Sequence, residues 1–230
     1  MKRRRPGGPI EAAGRSSAAA SDPGPNACGE ILLALLLGGR LSERELGERL
    51  GGSAGEHSCA LGGLCRNGAV ERGATPDGVA RFRLTYDGRH RAAEILSRER
   101  AELAGRLAPL LAGFDASNRA LKALVQRWQV RSIGTAQVVN DHSDAAYDER
   151  ILRDLGALLG AAGPWLERLA PLRPRYRRYR ERLAVALDRA GRGEHDYVAG
   201  LRVDSVHAIW WQMHGDLLAV LGRARTAADA

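Results

Sequence analysis

Lysine is almost missing from this chain: Lys2 and Lys122 are the two present, so arginine supplies nearly all of the 35 basic residues. With abundant alanine and glycine, that bias matches a high-GC bacterial genome and says nothing about activity. Long apolar runs are missing as well. The longest, Ile31 to Leu37, falls well short of the roughly 20 residues that cross a bilayer, and the basic start leads into no segment long enough for a signal peptide. A soluble, cytoplasmic protein without a membrane partner is expected. Cysteine is scarce, and Cys28, Cys59 and Cys65 are an odd set whose spacing suits neither a disulfide framework nor a zinc knuckle. They read as reduced, mostly buried side chains. Catalytic signatures are missing too: there is no phosphate-cradling glycine loop, no nucleophile elbow and no closely spaced pair of metal ligands. The chain is therefore read as a non-enzyme, with no catalytic residue, cofactor or metal assigned.

What is present is positive charge. A net charge of +8 and a pI of about 10.1 favour an acidic partner, of which nucleic acid is the commonest for a soluble bacterial protein, although plain solubility accounts for the same excess. The 230 residues, 44% hydrophobic, suffice for two small cores. Residues 1–26, with Lys2, Arg3, Arg4 and Arg5, carry almost no large apolar side chain and read as a disordered basic tail. Next come a unit over 27–97, a linker helix over 98–116 and a helical bundle over 117–225.

The first unit has an ordered set of signals. An apolar helix, GEILLALLLGG, stops at a glycine pair. Ser42, with Glu45 three residues on, has capping-box spacing and opens SERELGERL. A third helical segment carries Leu61 and Leu64 on one face and ends at Gly68. Val79, Arg81 and Arg83 then alternate with Phe82 and Leu84 after a Pro76-Asp77-Gly78 turn, as in a hairpin. The expected fold is mainly α: an N-terminal winged helix of three helices plus a β-hairpin wing, followed by a C-terminal helical bundle. The segments Leu61-x-x-Leu64-x-x-x-Gly68-Ala69-Val70-Glu71-Arg72 and Arg83-Leu84-Thr85-x-x-Gly88-Arg89 resemble the third helix and wing of MarR-type and PadR-type winged helix-turn-helix regulators. In those, the Leu-Thr-x-x-Gly-Arg stretch closes the wing and starts the next helix.

Such a domain reads DNA with the early part of its third helix. Here that stretch is Ala54, Gly55, Glu56, His57 and Ser58, where the acid repels phosphate and glycine weakens the helix. Ser58 and Arg66 are the helix's candidate contacts. Arg72, Arg81 and Arg83 equip the wing better, for the minor groove or for phosphates. A winged helix kept only for protein contact is the competing reading.

Beyond Phe114 the periodicity is helical, with helices expected over 117–130, 145–161, 164–172, 175–190 and 205–222 and no strand pattern. This half resembles an actinobacterial domain without an assigned activity that occurs behind a similar winged helix, alone or beside phosphoenolpyruvate-utilising enzymes of the pyruvate phosphate dikinase type. The resemblance is carried by Trp128-Gln129-Val130, by Asn140 through Asp148 and by Asp204 through Leu218. Val206 stands where that family carries Tyr, and Gly215 where it carries an acid.

His207 and His214 share a helical face but lie about 10 Å apart along the axis, too far to share a metal unaided. With Trp210 and Trp211 they either pack in the bundle or line a ligand pocket, with His142 from the 131–144 loop as a further candidate. Asp141 and Asp144 beside His142 read as metal ligands or simply as caps of the next helix. Arg173, Arg177 and Arg180 fall at helical spacing on one face, which is either solvated or a phosphate site. The resulting expectation is a DNA-binding transcriptional regulator, homodimeric on double-stranded DNA. Its bundle would sense a small anionic or aromatic effector or mediate dimerisation. The alternative is a winged-helix adaptor that does not bind DNA and works with a partner enzyme, for which the resemblance points to a phosphoenolpyruvate-utilising one.

Overall fold

The computed structural model describes residues 25–75 and 78–225. Residues 1–24 of the expected basic tail, including Lys2 to Arg5, and Pro76 and Asp77 of the expected turn lie outside the described residues, while the last two tail positions, 25 and 26, belong to the first helix. The chain is mainly helical with a small antiparallel sheet. Helix α1 (Pro25–Gly38) is followed by β1 (Leu41–Ser42), α2 (Glu43–Leu50), α3 (Ala54–Arg66), β2 (Val70–Ala74) and β3 (Ala80–Leu84). The three strands are ordered β1-β3-β2, with Leu41 opposite Phe82 and Val70 opposite Leu84.

Local chemistry explains these boundaries. Ser42 and Glu45 form the expected capping box on α2, and Ser53 with Glu56 forms a second one on α3, so Glu56 is committed to its own helix start. Gly51 and Gly52 turn the chain between the two helices at φ 71° and 82°. Behind β3, Thr85 caps α4 (Tyr86–Gln129) by accepting the Gly88 N–H, while its hydroxyl donates to the Gly68 carbonyl. Gly88 sits so close to the preceding loop that a Cβ would lie 1.9 Å from the Ala69 carbonyl oxygen. The Leu-Thr-x-x-Gly-Arg stretch is thus a clamp between the sheet and α4. One core gathers Ile31, Leu35, Leu46, Leu61, Leu64, Phe82 and Leu84.

The rest comprises α4, a hairpin of β4 (Val130–Ile133) and β5 (Ala136–Val139), α5 (Ala145–Leu169), a 3₁₀ turn (Ala170–Leu172), α6 (Pro174–Gly191), α7 (Asp196–Ala199) and α8 (Val206–Leu221). It differs from the sequence expectation in three places. The expected linker and first bundle helix are one 44-residue helix, and Leu103, Leu107, Leu110 and Phe114 from its middle are buried in the second core. Helix α5 runs through Pro164 where a break was expected. The β4–β5 hairpin was not expected at all; β5 exposes both faces, so it carries no apolar alternation to read.

The two cores are joined by a buried ionic seam. Arg175 of α6 bonds Asp216 of α8 at 2.8 Å and Glu99 of α4 at 2.5 Å, and lies 3.4 Å from Glu30 of α1. Arg178 of α6 also donates to the Glu48 carbonyl of α2. Among the described residues no helix is long and apolar enough to cross a membrane.

Candidate functional site

The five residues expected to meet DNA are all on α3 or the β2–β3 hairpin. Ser58, Arg66, Arg72 and Arg83 are exposed and Arg81 is half-buried. Several already have partners. Ser58 donates to the Glu43 carboxylate of α2. Arg81 pairs with Glu45 at 2.7 Å and Arg83 with Glu71, directly opposite on β2, at 2.6 Å. Burial opposes ionisation of Glu45, but hydrogen bonds from Ser42 and Arg81 outweigh it and hold the carboxyl below its ordinary value. Arg81 and Arg83 therefore reach a phosphate only by sharing or leaving a carboxylate.

Four of the five expected ligand contacts do converge. His207, Trp210, Trp211 and His214 of α8 line a pocket of about 330 Å³ closed on its other side by Asn118, Lys122 and Gln126 of α4. Trp210 is buried, stacks on Phe114 with ring centroids 5.3 Å apart and donates Nε1–H to the Asn118 side chain at 3.1 Å. His214, also buried, packs on Phe114 at 4.6 Å, so both residues are core as well as wall. His207 is the adaptable member: burial first, and then Lys122, holds its imidazole below the ordinary histidine value. Trp211 projects outward with the Arg225 guanidinium over its ring.

His142 is not in that pocket. It belongs to a separate cluster at the start of α5, where its Nδ1 lies 2.8 Å from a carboxylate oxygen of buried Asp148. Its ring is 4.8 Å from His195, which precedes α7, and Trp128 packs against both imidazoles at 4.5 and 5.4 Å. Asn140 braces the group, donating to Asp148 at 2.9 Å and to the Trp128 carbonyl at 3.0 Å while accepting the His142 backbone N–H. Asp144 caps α5 by accepting the Tyr147 N–H, as one of the two readings had it, whereas Asp141 accepts from Ser143 within the loop and caps no helix. Sequence reasoning missed His195 and the role of Asp148, since neither stands at a local ligand spacing from His142.

Comparison with known protein families, curated proteins and solved structures finds no match to this chain.

The three arginines expected to form an anion site are not brought together. Arg173 and Arg177 border a cleft of about 890 Å³ between the two cores, while Arg180 borders a different groove and pairs with Glu167 at 3.1 Å. Arg173 is the extended cap residue before α6 rather than part of it, so the helical spacing does not apply to it. Its guanidinium is taken by Glu99 and Glu102. Arg175 and Arg182, on the opposite face, are the buried members of the run.

Proposed function

We propose that the chain is a DNA-binding transcriptional regulator in which residues 27–97 act as a winged helix-turn-helix unit and the helical remainder receives a small effector or a second copy of the chain. The reading rests on one observation above all: the element order α1-β1-α2-α3-β2-β3 with sheet order β1-β3-β2, in which most of the N-terminal part of α3 and most of β2 are exposed. The α8 pocket, lined by imidazole and indole rings with Lys122 at its edge, suits a small aromatic or anionic molecule. The long α4 helix runs from the wing to this pocket and offers a physical link between them.

Salt-dependent binding of the full chain to a mixed-sequence duplex tests the proposal. Each phosphate contact contributes about 0.9 to the slope of log K against log salt, so Arg81→Ala with Arg83→Ala should weaken binding and lower the slope by up to about two units. Glu71→Gln, which releases Arg83, should strengthen binding. The ion pairs of Arg81 with Glu45 and Arg83 with Glu71 favour a second reading, in which the same surface contacts a protein. Unchanged duplex binding in the double variant rejects DNA contact by the wing, and absence of salt-dependent duplex binding by the parent chain itself favours that adaptor reading.

A further inference from the structure

We infer that His142, Asp148 and His195 form a binding site for a first-row divalent transition ion such as Zn²⁺. This site is independent of the DNA-binding reading. Among the described residues these three side chains can each offer one ligand atom, and the three atoms lie within 4.8 Å of one another. They come from three separate segments: the loop after β5, the first turn of α5 and the turn before α7.

A hydrogen-bonded histidine and aspartate alone would explain only part of this arrangement. Asp148 already receives Asn140 at 2.9 Å and faces His142 at 2.8 Å, so its needs as a buried carboxylate are met without His195. A second imidazole nonetheless lies against the first. Two neutral imidazoles and one carboxylate are a donor set suited to zinc and its first-row neighbours rather than to calcium or magnesium, which take oxygen ligands. Tetrahedral bonds of about 2.0–2.1 Å place ligand atoms about 3.3 Å apart. The His142 to Asp148 contact is already shorter than that, so ion binding requires these two to part slightly and partly exposed His195 to draw in from within 4.8 Å.

The surroundings have the character of a supporting shell. Asn140 fixes one Asp148 oxygen and the backbone of His142, leaving the other oxygen directed at the imidazole. Trp128 walls the apolar side against both rings. His142 adopts φ 57°, a left-handed conformation uncommon for a non-glycine residue and concentrated at functional positions. With three protein donors, a fourth position is left for water or a ligand.

The test uses the full chain, free of any affinity tag and stripped with a chelator. Titration with Co²⁺ should give visible d–d absorption bands saturating at one ion per chain, displaced by Zn²⁺. Loss of His142 or His195 to alanine should abolish the saturable bands, whereas His207→Ala, outside the cluster, should leave them intact. Asn140→Ala, which removes only the brace, should weaken binding about 10–100-fold while keeping the stoichiometry. Circular dichroism checks each variant, and His195→Ala decides the matter if His142→Ala or Asn140→Ala does not fold. Absence of stoichiometric Co²⁺ and Zn²⁺ binding, or binding that survives in folded His195→Ala, overturns the inference.

Discussion

Removing Arg175 should cost more stability than any single surface change, because it is the cation at the centre of a buried carboxylate group. Its side chain is 5% exposed, against 0% for Asp216 and 8% for Glu99. In Arg175→Ala, Glu99 keeps its bond from Arg173 at 2.9 Å, but Asp216 keeps only the Tyr179 hydroxyl at 3.2 Å. Breaking a buried pair by deleting one partner costs about 3–5 kcal/mol. For a chain of this size each kcal/mol moves Tm by about 2–4 °C, which gives a fall of about 6–20 °C in a calorimetric or circular-dichroism melt. The opposite change separates this account from simple loss of packing. Burial, with Glu99 and Asp216 nearby, raises the Glu30 carboxyl above its ordinary 4.5 despite Arg175. A raised carboxyl stabilises the fold only while protonated, and that contribution is lost as pH rises from 4.5 through the folded value. Glu30→Gln should therefore be neutral or stabilising at neutral pH, and the deficit of Arg175→Ala should narrow as acid protonates the orphaned carboxylates. A Tm loss below about 2 °C, or a deficit that widens towards acid, would refute the reasoning.

Three further outcomes are expected. Gly88→Ala should lose at least about 1–3 kcal/mol in urea unfolding, because the new Cβ meets backbone that cannot move aside, while Gly73→Ala, which meets nothing, serves as the control. Equal midpoints for the two would remove the clamp argument. Ser53→Ala should cost about 0.5–2 kcal/mol by deleting the α3 capping box, visible as a lower urea midpoint at unchanged m. His207 has a folded pKa below 6.5, so between that value and 6.5 the unfolded chain binds more protons, and stability falls as pH drops through this window. His207→Gln should flatten that part of the Tm against pH curve, and identical slopes in parent and variant would count against a neutral, half-buried imidazole.

How far each feature could be read from the chain depended on the range of the interactions behind it. The Ser42–Glu45 cap, the stop at Gly68 and the hairpin entering at Val79 were legible because caps and turns are made by residues three or four apart. The grouping of His207, Trp210, Trp211 and His214 was legible for the same reason, since one helical face carries them, yet their neighbours Asn118 and Lys122 on α4 were not. The β4–β5 hairpin escaped because β5 buries neither face and so leaves no period-two pattern. The union of the linker with the first bundle helix escaped because apolar spacing says that a face is buried without saying against what.

The sequence by itself determined the local frame of this protein: the cap that opens α2, the stop after α3, which faces are apolar, and that arginine carries its positive charge. Tertiary structure alone decided which charges are spent. Arg81, Arg83, Arg173 and Arg175 look alike in the chain, but each is matched to carboxylates from another element, and whether an arginine is available to a ligand depends on that pairing. Likewise His142 acquired Asp148, Trp128 and His195 as neighbours through the packing of α4, α5 and the turn before α7. The physical reason is common to both cases: imidazole, guanidinium and carboxylate groups act over a few ångströms of space, and the fold brings together side chains that no fixed spacing along the chain connects.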